Sequence, residues 1–280
     1  MAPLRVAPLR VVLLGADDEY RSEVTMPLLA ASLRRDAAVE ASVAYPADPA
    51  SGALDVERRD HIAGLAQLEQ ADVAVFFLRW RELPPAEWAV IEAYFLAGRP
   101  LVGLRTSTHM VRGIVDRDGA SLDDELPRRV FGQRWISHHG HDSRTRVLPP
   151  RPEVAGHPVL RGIRGGFEVP SWLYDVEPLP EDCLVLLWGE VVADGKEPVR
   201  QPIVWVREAT PTTPSPFPGR GDPARRMAFT TLGHPGDFAS AEVRRLVEQM
   251  VLWAGGRDTE IPAAGLAATL PEPYVPPPTR

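Results

Sequence analysis

The chain has 280 residues, of which 44% are hydrophobic and 25% are charged, and this composition excludes a mainly disordered protein. Its 31 Lys and Arg residues are outnumbered by 38 Asp and Glu residues, so the formal charge is -7 and no basic block attracts nucleic acid. The length suffices for one elaborated α/β domain, which we assign to residues 1–257, followed by a Pro-rich tail at residues 258–280.

The cysteine content and the apolar runs of the sequence indicate the cellular compartment of the protein. The single cysteine, Cys183, fits a reducing compartment and excludes both an intramolecular disulfide and a multi-thiolate metal site. The apolar run at residues 11–14 is too short for a signal-peptide core, and no run approaches the roughly 20 apolar residues of a membrane span. We therefore expect a cytoplasmic protein without a membrane partner, and a homo-oligomer stays open.

Strand and helix patterns alternate through the first half of the sequence. Short, continuous apolar runs are typical of strands buried on both faces. Amphipathic segments lie between them, and Thr25 is placed to cap one of these helices. The alternation predicts an α/β fold with a mostly parallel sheet and helices on both faces. The predicted strands are residues 11–14, 43–45, 73–77 and 101–104, and the predicted helices are residues 25–33, 61–68 and 85–96.

The second half is less regular until its end. The Pro-rich segment 210–223 is typical of a surface loop, and a role as a lid stays open. Ser240 is placed to cap an amphipathic helix that ends at Gly255 and Gly256, and this helix is the most regular pattern of the chain. Strands or extended segments are predicted at residues 157–163, 172–176, 184–192, 202–206 and 227–232.

Polar clusters follow several predicted strands at the point where each strand ends. Ligands of an open parallel sheet bind outside the carboxyl ends of its strands, so clusters on four separate loops are predicted to meet at one edge. A solvated loop side chain is the plainer interpretation for any one residue, but the coincidence of four loops favours a ligand site. The clusters are residues 17–23, 79–81 and 105–109, and His234 with Asp237.

Three histidines, His138, His139 and His141, lie within four positions of the segment 132–143. Histidine titrates near neutral pH and is the commonest metal ligand, so the cluster suits acid/base chemistry or a cation. The spacing is not that of a helical metal motif such as H-E-x-x-H. No cofactor is therefore assigned. The three histidines would either bind a divalent metal or form hydrogen bonds with a substrate or with other protein groups.

The pattern at residues 103–107 resembles a nucleophile elbow, the sharp turn between a strand and a helix that presents a reactive side chain. The central residue is Arg105, which stays protonated and cannot attack a carbonyl. Neither Thr106 nor Ser107 stands at the position of the nucleophile. The pattern therefore indicates binding of an anionic or hydroxyl-rich ligand.

Five stretches resemble the trehalose-utilisation, ThuA-like family, and the most specific is LGHPGDF followed by a helix ending in LWAGG. The resemblance covers about residues 9–256 and implies the flavodoxin-like fold of class I glutamine amidotransferases and a role in carbohydrate metabolism. The amidotransferase cysteine is replaced by Arg105, so glutamine hydrolysis is not implied. The stretches are DEYRSE at 18–23, GLRTSTH at 103–109, WISHHGHDSRT at 135–145, HPVLRGI at 157–163 and RMAFTTLGHPGDF at 226–238.

The first hypothesis is an enzyme that acts on a disaccharide, glycoside or keto-sugar by acid/base chemistry without a Cys nucleophile. A keto group acidifies the neighbouring C–H, so proton abstraction, elimination or isomerisation needs only a positioned base and a cationic partner. Trp80, Trp135 or Trp172 would stack on the sugar, or would pack in the core. The predicted catalytic residues are Glu19, His109, His139 and His234, and the predicted substrate-binding residues are Arg21, Glu23, Arg79, Arg105, Thr106, His138 and Asp237.

Two other classes stay open. A non-catalytic sugar-binding or regulatory protein would keep the pocket without a complete acid/base set, and Arg105 at the elbow is compatible with it. A metal-dependent hydrolase would combine His138, His139 or His141 with a further histidine from another loop around a divalent ion. The ligand in each case is a small sugar or sugar derivative.

Overall fold

The computed structural model describes residues 7–37, 39–140, 143–191, 197–210, 212–217, 219–222 and 225–280. These residues form a ten-stranded sheet, a separate two-stranded ribbon and four α-helices. The strands are β1 (Leu9–Ala16), β2 (Val39–Pro46), β3 (Ile62–Ala63), β4 (Val73–Leu78), β5 (Leu101–Leu104), β6 (Ser137–His139), β7 (Thr145–Val147), β8 (Phe167–Val169), β9 (Leu173–Asp175), β10 (Leu184–Val191), β11 (Val199–Glu208) and β12 (Arg226–Thr230). The helices are α1 (Ser22–Asp36), α2 (Pro85–Leu96), α3 (Glu125–Phe131) and α4 (Ala241–Ala254).

The sheet is mixed, with the strand order β3-β2-β1-β4-β5-β12-β11-β10-β7-β8. The four pairings among β2, β1, β4, β5 and β12 are parallel. The other five pairings of the described sheet are antiparallel. The predicted fold class, a flavodoxin-like and mostly parallel sheet with helices on both faces, is therefore wrong.

The antiparallel half has a physical cause in the connections between its strands. Parallel neighbours need a crossover of about a dozen residues or more, usually a helix. Only residues 192–198 separate β10 from β11, and the Pro-rich segment 209–225 forms no helix among its described residues. Alternation in the first half was therefore a poor guide to the second half.

Two hydrophobic clusters pack on opposite faces of the parallel strands. Along β1, Val11 and Leu13 belong to one cluster, whereas Val12 and Leu14 belong to the other. Helices α1 and α4 contribute to the first cluster, and α2 and α3 contribute to the second. Burial on both faces explains why these strands are continuously apolar in sequence.

The predicted strands at residues 11–14, 43–45, 73–77 and 101–104 lie inside β1, β2, β4 and β5. In the second half, β9, β10, β11 and β12 lie where strands were predicted. The segment 157–163 instead contains a 3-10 turn at Pro158–Leu160. The helix after Ser240 is confirmed as α4, with its apolar stripe buried. Ser240 stands at the N-cap position, but its side chain makes no capping hydrogen bond.

Two local predictions in the first half are wrong. The helix predicted at residues 61–68 is a short strand followed by a 3-10 turn at Leu65–Gln70, because Gly64 between them adopts a left-handed conformation with φ 82°. Thr25 does not cap α1, which begins at Ser22 after a left-handed Arg21. The Thr25 hydroxyl donates instead to the Arg21 carbonyl at 3.4 Å.

The tail beyond α4 is extended and lies against α1 and α4. The Leu266 amide donates to Gln249 Oε1 at 2.9 Å, and the Thr269 amide donates to Asp36 Oδ2 at 2.8 Å. The described helices include none with both the length and the apolar character needed to cross a membrane.

Glu248 on α4 is a buried carboxyl group whose ionisation should weaken the fold. Burial raises the pKa of Glu248 to about 7. Because the native pKa lies above the unfolded value of 4.5, the contribution of Glu248 to stability is fully present below that pH and is lost, by about 3 kcal/mol, as the pH rises through 7. We expect Glu248→Gln to remove most of this loss, so that urea unfolding shows a more stable variant at pH 8 and little difference at pH 5. Equal stability of the two proteins at pH 8 would contradict this.

Candidate functional site

The carboxyl ends of β1, β4, β5 and β12 lie side by side, because these strands are parallel neighbours. The loops that follow them therefore share one edge of the sheet, as the sequence predicted for ligand binding. We call this edge the rim and define it as residues 17–23, 79–81, 105–109 and 231–237.

The first rim loop carries Asp18 at the centre of an arginine cluster. Arg79 Nη1 donates to Asp18 Oδ1 at 2.7 Å, and Arg59 and Arg81 donate to Oδ2 at 3.0 and 3.2 Å. Burial opposes ionisation, but the three arginines hold the pKa of Asp18 below its usual value. Arg79 Nε also lies 3.0 Å from Glu19 Oε2, so one guanidinium contacts two carboxylates. Arg79 therefore positions the side chain of Glu19.

Asp17 is buried below this cluster and fixes the shape of the loop. Its carboxylate accepts hydrogen bonds from the Glu19 and Tyr20 amides, and from the Thr106 hydroxyl at 2.6 Å. Burial raises the pKa of Asp17 to about 6. Thr106, a predicted substrate-binding residue, thus has its hydroxyl proton committed to Asp17.

Arg105 adopts a left-handed conformation with φ 40° immediately after β5, and its side chain is fully buried. Nη1 donates to Ser171 Oγ and to the Thr231 carbonyl, both at 3.0 Å, and Nη2 donates to the Tyr20 hydroxyl at 3.0 Å. The guanidinium also lies 4.1 Å from the centre of the Tyr20 ring and 4.6 Å from that of Tyr174. The sharp turn that the sequence predicted is present, but its cation is bonded to protein groups.

The surroundings of Arg105 keep it charged in spite of its burial. Burial alone would lower the pKa of its guanidinium, but the nearby Tyr174, Tyr20 and Asp237 raise it above the usual value. No carboxylate contacts the guanidinium directly among the described residues. Ser171 Oγ instead bridges the two charges, because it accepts from Arg105 and donates to Asp237 Oδ2 at 2.5 Å.

Asp237 is also buried and organises the loop after β12. Its Oδ2 accepts from the amides of Gly233 and His234 at 2.8 and 3.1 Å. Its Oδ1 accepts from the Ser171 amide at 3.1 Å. Asp237 thus joins Ser171 to the loop that carries His234. A substrate that bound Asp237, as the sequence predicted, would compete with these hydrogen bonds.

His234 is half-buried at the rim and lies edge-on to Tyr20, with 6.2 Å between ring centres. Its Nδ1 accepts from the Gly236 amide at 3.0 Å, so in the neutral ring the proton is on Nε2. Burial is the largest cause of a lowered pKa for His234. The ring is therefore a neutral hydrogen-bond donor at pH 7 rather than a cation.

His109 stands between two tryptophan rings. The ring centres of Trp80 and Trp135 each lie 5.4 Å from that of His109. Burial lowers the pKa of His109 to about 3, and the positive charges of Arg79 and Arg105 add to this. His109 is therefore neutral across the physiological range.

The ribbon formed by β6 and β9 brings the histidine cluster next to this row of rings. His138 stacks between Trp135 and Trp172, with ring centres 6.0 and 5.0 Å away. The backbone carbonyl of His139 accepts a hydrogen bond from the Ser143 hydroxyl. The Nε2 atom of the His139 ring is buried. Across the described ranges, no group of three His, Cys, Asp or Glu residues is placed to hold a metal ion. His141 lies outside the described residues.

Arg21 and Glu23 lie at the start of α1. Arg21 Nε is 3.7 Å from Glu23 Oε1. Glu23 also accepts from Arg280 Nη2 at 2.5 Å, and the Arg280 amide donates to the Glu19 carbonyl at 3.0 Å. A distant part of the chain thus contacts two predicted site residues.

Six of the predicted residues lie at the rim with side chains that are not fully buried: Glu19, Arg21, Glu23, Arg79, His109 and His234. His138 and His139 lie on the adjoining ribbon. Sequence reasoning did not select Tyr20, Ser171 or Tyr174. Tyr20 stands within the DEYRSE motif and next to a predicted base, which was an available signal. Ser171 and Tyr174 follow no motif, because the fold brings them from the region around β9.

This arrangement belongs to an α/β protein with a polar rim at the ends of its parallel strands, and solved structures share the fold. A protein named as ThuA-like from Bacteroides uniformis matches at a TM-score of 0.56, with 16% identity over 89% of this chain and 92% of that one. A second protein named as ThuA-like, from Parabacteroides merdae, matches at 0.58, with 13% identity over 89% and 90% of the two chains. The resemblance to ThuA-like proteins is thus confirmed by solved structures that share the fold, although the mostly parallel sheet that it implied is not what forms. No family model and no curated protein sequence matches the chain.

Proposed function

We propose that the chain is a ThuA-like protein of carbohydrate metabolism that acts on a disaccharide, glycoside or keto-sugar at the rim, by acid/base chemistry without a Cys nucleophile. The observation that carries this proposal is the position of Glu19, a partly exposed carboxylate held by Arg79, on the loop that also carries Tyr20 beside His234. A base, a cation and a neutral donor thus come from three neighbouring loops.

Glu19 is the proposed base. Its side chain is 27% exposed, so a substrate can approach it, and its ion pair with Arg79 fixes its direction. It removes a proton from the carbon next to a keto group, and the electron pair of that C–H bond moves to the carbonyl oxygen to give an enolate. In elimination, the enolate re-forms the carbonyl as the C–O bond at the next carbon breaks, and the departing oxygen takes the proton. In isomerisation of an α-hydroxy ketone, the hydroxyl proton moves to the enolate oxygen, the new carbonyl forms at the hydroxyl carbon, and Glu19 returns its proton to the former carbonyl carbon.

Arg79 and His234 are the proposed partners of the developing oxyanion. A cation and a preformed N–H donor stabilise negative charge more in the transition state than in the ground state. His234 supplies Nε2–H because its Nδ1 is occupied by the Gly236 amide. His109, with a pKa of about 3, then lines the rim as a neutral ring.

The single cysteine supports chemistry without a thiol nucleophile. Cys183 Sγ accepts from Arg207 Nη2 at 3.5 Å, and burial raises the pKa of the thiol. Arg207 pairs with Met227 near the start of β12, whereas the rim lies beyond the end of that strand. The thiol is therefore near the opposite edge of the sheet and protonated at neutral pH.

The aromatic row supports a sugar as the ligand. Trp80, Trp135 and Trp172 are half-buried, and His109 and His138 lie between them. Aromatic rings with one exposed part offer flat apolar surface beside polar groups, which suits the mixed character of a sugar ring.

A non-catalytic sugar-binding protein is the second candidate. The commitment of Arg105, Thr106 and Asp237 to hydrogen bonds within the protein favours it, because fewer polar groups remain for a reaction. The test is to incubate the protein with a panel of disaccharides and their 3-keto derivatives, with and without chelator, and to follow the mixture by NMR. New product signals that resist chelator support the proposal. Line broadening without product supports the second candidate, and loss of product with chelator contradicts side-chain chemistry.

A further inference from the structure

Arg112 is an exposed arginine just outside the rim, and its guanidinium pairs with no carboxylate among the described residues. Asp123, an acid nearby in the sequence, accepts instead from the amides of Gly113 and Ile114 at 3.1 and 3.3 Å. Within the described ranges the Arg112 guanidinium also donates no hydrogen bond to another protein group. Its N–H donors are therefore available to a ligand.

The ring of Trp80 holds this guanidinium in place. Arg112 Cζ lies 4.6 Å from the centre of the Trp80 ring, and Arg79 Cζ lies 3.8 Å from it. A guanidinium stacked on an aromatic ring keeps a fixed plane, while the N–H donors at its edge can bind two oxygens of one anion. Arg79 differs, because its donors already contact Asp18 and Glu19. Arg112 is thus an oriented cation whose donors are unused.

The backbone fixes Trp80 and Arg112 relative to each other. Trp80 is a bulky residue in the left-handed region, with φ 45°, a conformation that persists only where the surrounding structure imposes it. The Trp80 amide donates to the His109 carbonyl at 2.9 Å. The bonds from the Arg81 amide to the Met110 carbonyl and from the Arg112 amide to the Arg81 carbonyl are also 2.9 Å long. Successive hydrogen bonds thus join the two loops that carry the ring and the cation.

This pair lies beside the proposed base. Arg112 contacts the same Trp80 ring as Arg79, and Arg79 Nε lies 3.0 Å from Glu19 Oε2. Trp80 also lies 5.4 Å from His109, ring centre to ring centre, so it belongs to the aromatic row. A ligand of the size of a disaccharide that extends from Glu19 over Trp80 therefore reaches Arg112.

From these contacts we propose that Arg112 and Trp80 form a subsite for an anionic group on the sugar, a carboxylate or a phosphate, so that the substrate is an acidic glycoside or keto-sugar. Such a group accepts two parallel N–H bonds from one guanidinium, whereas a neutral hydroxyl cannot. The chain carries a formal charge of -7, so an anionic ligand needs a local cation of this kind. The role of the subsite in a reaction rests on the proposed function, whereas binding itself does not.

The test compares three glycosides that differ only at carbon 6: methyl glucoside, methyl glucuronide and methyl glucoside 6-phosphate. Their dissociation constants are measured by NMR titration at low salt. The protein should bind at least one of the two anionic glycosides about ten-fold more tightly than the neutral one. The tighter of the two identifies the group as a carboxylate or a phosphate. Equal affinity for all three glycosides, or no binding of any, would overturn the subsite.

Arg112→Gln should remove this preference and leave the affinity for methyl glucoside unchanged, because glutamine carries no charge. Arg151 provides the matched control, since it is also exposed and also lies 4.6 Å from the centre of a tryptophan ring, that of Trp188 on β10. Arg151→Gln should keep the preference. A preference that survives in Arg112→Gln, or that Arg151→Gln removes equally, would overturn the assignment to Arg112.

A second measurement distinguishes failure of the subsite from failure of the proposed function. The 3-keto derivatives of the same glycosides are incubated with the protein in D₂O at concentrations well below saturation, and exchange of the protons next to the keto group is followed. Arg112-dependent binding of an anionic glycoside without exchange would contradict the proposed function and leave the subsite standing. Exchange that is equally fast for the neutral and the anionic derivatives would support the function and overturn the subsite.

Discussion

Arg105→Met should lower the free energy of unfolding by about 3–5 kcal/mol, as expected when one member of a buried charge network is removed. The substitution leaves the buried Thr231 carbonyl without its donor, and Ser171 Oγ keeps only the His234 amide as a donor. The Asp237 carboxylate also loses its nearby cation. Each unsatisfied buried group costs about 1–3 kcal/mol. Urea unfolding at pH 7 measures the difference.

Two further variants separate charge from geometry in this network. Arg105→Lys keeps the cation but has no planar fork of donors, so it should fall between the wild type and Arg105→Met. Arg112 is an exposed arginine outside the rim that stacks on Trp80 with 4.6 Å to the ring centre, and Arg112→Met should cost less than about 1 kcal/mol. If Arg105→Met proves as mild as Arg112→Met, Arg105 does not organise the rim.

Glu19→Gln should reduce turnover of a keto-sugar by about 10²–10⁴-fold, the usual contribution of a general base. Glutamine keeps the size and the polar contacts of the side chain but cannot take up a proton from carbon. Because Glu19 is partly exposed, stability should change little. Initial rates by NMR, with thermal unfolding as a check on folding, measure both quantities.

Glu82→Gln is the matched control for this substitution. Glu82 is an exposed carboxylate beside the same arginine cluster, 3.8 Å from Arg59, and it has no proposed role in the reaction. Its variant should turn over substrate at the wild-type rate. Full activity of Glu19→Gln, or an equal loss in Glu82→Gln, would show that the base is elsewhere.

Apolar patterning predicted much of the fold but not its sheet. Strands such as β4 and helices such as α4 were identified because burial leaves a direct record in the residue pattern. Strand direction leaves no such record in the residue pattern. The strands β10 and β11 were predicted at the right positions, but they are antiparallel, and the predicted fold class was therefore wrong. The failed helix at residues 61–68 shows the same limit, since one left-handed Gly64 outweighed helical spacing.

The place of the candidate site was easier to predict than the direction of its side chains. The carboxyl ends of the parallel strands do lie side by side, so the predicted clusters share the rim, and ligand binding there stays a prediction. Whether Arg105 or Thr106 faces solvent depends on Tyr20, Ser171 and Asp17, which pack around them only in the folded chain. The contact of Arg280 with Glu23 spans almost the whole sequence, and no local pattern indicates it.

The most direct test of the proposed proton abstraction is solvent exchange. The protein is incubated with a 3-keto-disaccharide in D₂O, and the proton NMR signals of the carbons next to the keto group are followed over time. Acid/base chemistry at Glu19 predicts that these signals disappear faster than in a protein-free sample, and that Glu19→Gln removes most of the acceleration. Ligand binding with exchange no faster than in the protein-free sample would contradict it and leave a binding protein.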